Sequence, residues 1–242
     1  MPHWGAERNH QLLEICYGSG RDHPQYAALH VDSGYFRLVY GRTSGWGTSV
    51  VLLPCIWSGG RYYQGARVKS QWQNEGDELV VSMSGTIAGL AVRCKVRLPP
   101  PDPAGRSASA KVNVTTSGAV RLDDRPGEAF KPVMLSSMWE PVPGMWDARE
   151  ARADDQLFSL PNGGWVIRPP VVADEFSLIG GTSIWKVNAP TVTIHFDRPL
   201  AVTGWVVPDS NPNDDNLALW CASDRVLPAW SYTISSTSPS LL

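Results

Sequence analysis

The chain has 242 residues, of which 43% are hydrophobic and only 18% charged, with a net charge of -2, against roughly 25% charged residues in an average globular protein. Such a chain buries a sizeable core, holds no apolar run near the roughly 18 residues of a membrane span, and carries no global basic field for nucleic acid. Membrane and nucleic acid are therefore not expected as partners. Residues 1–5 (Met, Pro, His, Trp, Gly) lack the basic-then-apolar pattern of a secretory signal, so a soluble, cytoplasmic protein is the expectation.

Gly (22) and Pro (20) recur between short segments rich in Val, Ile, Thr and aromatic residues, which is an all-β signature. In chain order, strands are predicted over residues 35–40, 49–53, 65–72, 79–84, 90–98 and 110–117. A second set follows at 165–168, 182–187, 191–197, 200–207, 217–221 and 230–235. A dozen or so such strands fit one antiparallel β-sandwich domain spanning residues 1–242, of supersandwich or jelly-roll type. The Pro-rich stretch 99–106 reads as a surface loop. Residues 147–156 read as one short helix, because Asp147 and Glu150 have capping-box spacing and Ala148, Ala151 and Ala153 favour helix. The Ser/Thr/Pro-rich tail at about 235–242 is expected to fray.

Alternation within 90–98 puts Arg93, Lys95 and Arg97 on one face, opposite Val92, Cys94 and Val96. The same parity groups Arg67, Lys69 and Gln71 in one neighbouring strand, and Lys111, Asn113 and Thr115 in another. If these strands are adjacent, one sheet face carries a basic, amide-rich strip suited to carboxylates or sulfates on a sugar chain. The plainer alternative is a solvated outer face.

Within 191–197, His195 shares a face with Thr191, Thr193 and Asp197. A histidine there suits general acid or base work, since its unperturbed pKa is about 6.5. His10, His23 and His30, with Glu14 and Asp22, match no ligand motif. The Asx-rich segment 209–216 has Asp214 and Trp220 where an EF-hand needs Gly and Glu, so it reads as a turn. No metal or cofactor is expected. Cys16, Cys55, Cys94 and Cys221 stand far apart and are expected to be unpaired thiols.

Residues 127–147 combine Glu128, Lys131, Glu140 and Asp147 with Trp139 and Trp146 near Pro and Gly. Two indoles presented at turns would make platforms for sugar rings, with the polar groups orienting hydroxyls. Alternatively they plug one end of a sandwich.

The strand-rich organisation, together with the block from Lys111 through residues 127–132 (Gly, Glu, Ala, Phe, Lys, Pro) to Trp146 and Asp147, resembles the galactose mutarotase-like β-supersandwich group. That group includes aldose epimerases and the sandwich domains of several polysaccharide lyases. The resemblance implies sugar handling on a concave sheet. The chain lacks the Asn-His-x-Tyr-Phe-Asn-type segment of an epimerase, so no catalytic residue is carried over from it.

Three functions remain open. An isomerase would use His195 with Glu128 or Glu140. A lyase would neutralise a uronate with Arg67, Lys69, Arg93 and Lys95 and remove its α-proton with Tyr62, Tyr63, Lys69 or His195. A lectin-like module needs only Trp139, Trp146 and a polar rim. In each case the expected partner is a carbohydrate, acidic if the basic strip engages it.

Overall fold

A computed structural model describes residues 4–9, 12–17, 26–30, 38–41, 49–53, 56–58, 61–63, 66–87, 89–100, 107–117, 133–140, 150–159, 164–165, 167, 171–179, 191–207, 216–222 and 229–237. Every regular element among the described residues is a β-strand, in keeping with the expected all-β sandwich. The first seven are β1 (Trp4–Asn9), β2 (Leu12–Tyr17), β3 (Tyr26–His30), β4 (Leu38–Gly41), β5 (Ser49–Leu53), β6 (Ile56–Ser58) and β7 (Arg61–Tyr63). Then come β8 (Ala66–Glu75), β9 (Glu78–Ile87), β10 (Leu90–Leu98), β11 (Ser107–Thr116) and β12 (Val133–Glu140). The remainder are β13 (Glu150–Ala153), β14 (Gln156–Ser159), β15 (Gly164–Trp165), β16 (Val171–Ile179), β17 (Thr191–Val207), β18 (Asn216–Ala222) and β19 (Ala229–Thr237).

All pairings are antiparallel, and β17 joins two runs of them. Its first part pairs with β19 on one side and with β16 on the other. From there the ladder extends through β11, β10 and β9 to β8, and through β13 to β14. Its second part pairs with β18, and the ladder continues through β12, β5, β4, β3 and β2 to β1. The two parts meet at an irregularity in which residues 196–199 lie opposite the single residue Asp174. Pro199 falls inside this bulge, where its missing N–H breaks no ladder bond. The two strands expected at 191–197 and 200–207 are one continuous strand, with the register shift at the proline between them.

Side chains alternate as the pattern requires. On β10, Val92, Cys94, Val96 and Leu98 are buried while Arg93 is exposed and Lys95 and Arg97 are half-buried. Leu79, Val81 and Met83 of β9, Val112 and Val114 of β11, Tyr232 and Ile234 of β19, Ile194 of β17 and Phe176 of β16 are also buried. Each contributes about 1.5–3 kcal/mol of burial where it is a full-sized apolar side chain. A two-residue hairpin loop sets the register of β8 against β9. Glu75 pairs with Glu78 around Gly76, whose φ of 66° suits the first position of a II′ turn.

The helix expected over 147–156 is not what forms. Residues 150–153 and 156–159 are β13 and β14, a hairpin closed by Asp154 and Asp155. Ala151 and Ala153 are buried while Glu150 and Arg152 are exposed, a period of two rather than 3.6. Pairing with β16 overrides alanine's helix preference. Residues 235–237 of the tail pair with β11 and β17, and 238–242 lie outside the described residues, as do 182–187 and 209–215.

Candidate functional site

The register makes the polar strip explicit. Lys69, Ser84, Arg93 and Thr115 form one transverse row across β8, β9, β10 and β11. The next row is Gln71, Ser82, Lys95 and Asn113, and the one beyond it is Gln73, Val80, Arg97 and Lys111. Lys69, Arg93, Lys95 and Lys111 therefore share a sheet face, as the alternation predicted. Arg67 differs. It lies in a β-bulge between Ala66 and Lys69 and has a φ of 53°, so strand parity assigns it no face.

The strip is electrostatically uneven. Arg97 donates to Glu75 at 2.7 Å and to Glu78 at 3.0 Å, and the Lys95 ammonium stands 3.7 Å from Glu75. Gln73 Nε2 also donates to Glu75, at 2.8 Å. The Gln73 amide first, and then the Arg97 guanidinium, hold the Glu75 carboxyl below its ordinary range. Among the described residues, Lys69, Arg93 and Lys111 have no carboxylate partner.

Around Lys69 and Arg93 the sheet surface holds an open hollow of about 580 Å³. Its rim and floor carry Lys69, Gln71, Ser82, Ser84, Arg93, Lys95, Asn113 and Thr115. Cys94 and Met83 also border it, yet both are buried with side chains on the opposite face, so they meet the hollow through their main chain. Burial pushes the Cys94 thiol up to about 12, and the thiol is free.

A second cluster lies on β16 and β17. His195 is 57% exposed at its side chain, and its Nδ1 is 3.2 Å from Glu175 Oε2. Ser177 Oγ donates to the other Glu175 oxygen at 3.2 Å and lies 3.0 Å from Thr193 Oγ1. Glu175 is held from behind. Asp154 Oδ1 accepts the main-chain N–H groups of Asp174 at 3.1 Å and Glu175 at 2.9 Å, while its own N–H donates to the Glu175 carbonyl. With φ at 48°, Asp154 takes a conformation that Asp tolerates better than most residues. His195 sits in the row Lys111, Thr233, His195, Glu175, so it is two strands from Lys111. His195 does not line the hollow. Glu175 and Asp154 were not singled out in the sequence. The cross-strand offset of β16 against β17, which alternation cannot supply, is what brings Glu175 to the histidine.

Other candidates are placed only in part. Trp139 and Glu140 belong to β12, where they pair with Val50 and Ser49 of β5. This segment is a strand with partners on both sides, and the Pro and Gly residues expected to turn the chain after it lie outside the described residues. Tyr62 and Tyr63 belong to the β6–β7 hairpin. Glu128, Lys131, Trp146, His10, His23 and Cys55 lie outside the described residues, and the side chains of Trp139, Glu140, His30, Cys16 and Cys221 are likewise not described.

No family model matches the sequence. No curated protein matches it. Among the solved structures whose fold is similar are those of the alpha-N-acetylgalactosaminidase NagBb from Bifidobacterium bifidum. Its GalNAc complex superposes with a TM-score of 0.50 at 11% identity, over 89% of this chain and 35% of the enzyme. Its Gal-NHAc-DNJ complex gives 0.50 at 12% over the same shares, and its quadruple mutant 0.50 at 10% over 97% and 36%. The chain thus spans about a third of the enzyme's length, and the likeness is one of fold.

Proposed function

We propose that the protein is carbohydrate-active and binds a sugar chain on the outer face of β8 to β11. The observation that supports this is the hollow of about 580 Å³, in which three cations and two amides share a concave surface with serine and threonine hydroxyls. Sugar hydroxyls call for such mixed donors and acceptors, and the open shape suits a chain rather than an enclosed small molecule. The structural neighbours named above bind GalNAc and Gal-NHAc-DNJ, which agrees with a carbohydrate partner. Acidic sugars are the finer expectation. Binding to panels of neutral and acidic oligosaccharides, measured by calorimetry, tests the reading; absence of binding to every sugar would reject it.

A catalytic reading, isomerase or lyase, rests on His195 with Glu175 oriented against it. His195 would serve as acid or base, and Glu175 would position its ring. Assays for anomer interconversion and for unsaturated uronate products, run on the parent and on His195→Asn, separate this from binding alone. No rate above background in the parent would leave binding as the function, and an equal rate in the variant would remove His195 from the mechanism.

A further inference from the structure

We propose that the hollow recognises a carboxylate or sulfate group of an acidic sugar chain, and that Lys69 and Arg93 form the anion subsite while Lys95 and Arg97 do not. This rests on the carbohydrate reading above. Lys69 and Arg93 flank Ser84 in one transverse row, which places their main chains about 10 Å apart across two strand spacings. Both side chains are long enough to close on a group held above the serine hydroxyl. Both are exposed, line the hollow, and have no carboxylate partner among the described residues.

The two rows beyond it behave differently. Lys95 faces Glu75, and Arg97 is engaged by both Glu75 and Glu78. An incoming anion there would meet two carboxylates already in place. Within the hollow, charge-assisted hydrogen bonds to a carboxylate or sulfate are therefore available from Lys69 and Arg93, while Lys111, also without a carboxylate partner among the described residues, lies in the Arg97 row outside the hollow. Gln71 and Asn113, adjoining the subsite, suit the uncharged hydroxyls or amides of the same chain.

The test uses the full chain, with oligogalacturonide as the carboxylate probe, chondroitin sulfate oligosaccharide as the sulfate probe, chitin oligosaccharide as the neutral one, and inorganic sulfate as a free anion. Lys69→Gln and Arg93→Gln should each weaken binding of an acidic probe about tenfold or more. Arg152→Gln, an equal change in net charge on β13, should alter it less than about twofold. Binding should also weaken as salt is raised. All variants are exposed-site changes, and melting curves confirm that they fold. Neutral and acidic oligosaccharides bound alike, with both variants indifferent, would overturn the anion subsite and leave the carbohydrate reading standing. Inorganic sulfate bound as tightly as any oligosaccharide would overturn it in favour of a plain anion site. No sugar bound at all would reject the parent reading and the subsite with it.

Discussion

At the Gly76 turn, the polar face of the sheet is a closed circuit of charge, with Arg97 between two glutamates and Gln73 completing the acceptors of Glu75. A few residues further along the same strands, Arg93 and Lys69 project from the same face beside a hollow, with no carboxylate to meet them among the described residues. The two regions use the same residue types on the same strands. What separates them is the placement of two acids at the hairpin turn, which satisfies one pair of cations internally and leaves the other available to a ligand. A row of basic residues is thus not a site by itself; the available part is found by subtracting the partners.

Several substitutions sharpen that contrast. If both regions stand on the shared apolar face beneath them rather than on their charges, Leu98→Ala should be the most damaging change. It would remove a fully buried side chain and cost about 2–5 kcal/mol in denaturant unfolding. A loss under about 1 kcal/mol would mean that β10 is not anchored through this face.

At the β13–β14 turn, Asp154→Ala should cost roughly 1–3 kcal/mol, because two main-chain donors lose a charged acceptor and a residue with positive φ becomes less favourable. Asp154→Gly recovers the backbone term only, so it should be the milder of the two; the reverse order would show that φ is not what matters.

Arg97→Gln should lower the melting temperature at pH 7, since it leaves Glu75 and Glu78 facing each other across the turn. The pH dependence has a definite sign. The Glu75 carboxyl is held below 4.5 in the folded protein, so its contribution is present above the unfolded value and is lost as pH falls through the folded one. The melting-temperature gap between parent and Glu75→Gln should accordingly shrink on acidification below about pH 4.5. A gap that stays constant into strong acid would remove the electrostatic explanation.

Smallest of all, Arg93→Gln should change stability by no more than about 0.5 kcal/mol. A cost as large as that of Arg97→Gln would mean that Arg93 is structurally engaged and that the two regions are alike.

The strands were legible where one face is buried and the other wet. Residues 90–98 alternate without interruption, and β10 has those same bounds. Regions with runs of small or polar residues were not. In β13 the alanines carry both a helical preference and a period of two, and only pairing with β16 decides between them. The strip was readable because parity is a local property, whereas its division into paired and free parts depends on Glu75 of β8 and Glu78 of β9 meeting Arg97 of β10. Likewise His195 stood out by type, but its partner Glu175 is set by a bulge between β16 and β17 that no local pattern announces. Residues 133–140 were not read as a strand because Ser136 and Ser137 break the alternation, whereas β12 lies between β5 and β18; the prolines and glycine expected to turn the chain after Glu140 lie outside the described residues.

The position of β19 has a kinetic consequence. Strands β8 to β11 are joined by near neighbours in sequence and form a meander that loop closure barely penalises. The next strand in space, β19, comes from far downstream, with Ser107 paired to Thr237, and it also pairs with β17. Assembly is therefore expected to have a fast local stage and a slow long-range one, because distant pairings must offset their closure entropy before they are rewarded. Until β19 docks, β11 presents an unpaired edge, a ready template for another chain. The face that carries Asn113 and Thr115 is thus completed late in folding, and refolding yield should fall with protein concentration more steeply than a purely local meander would show.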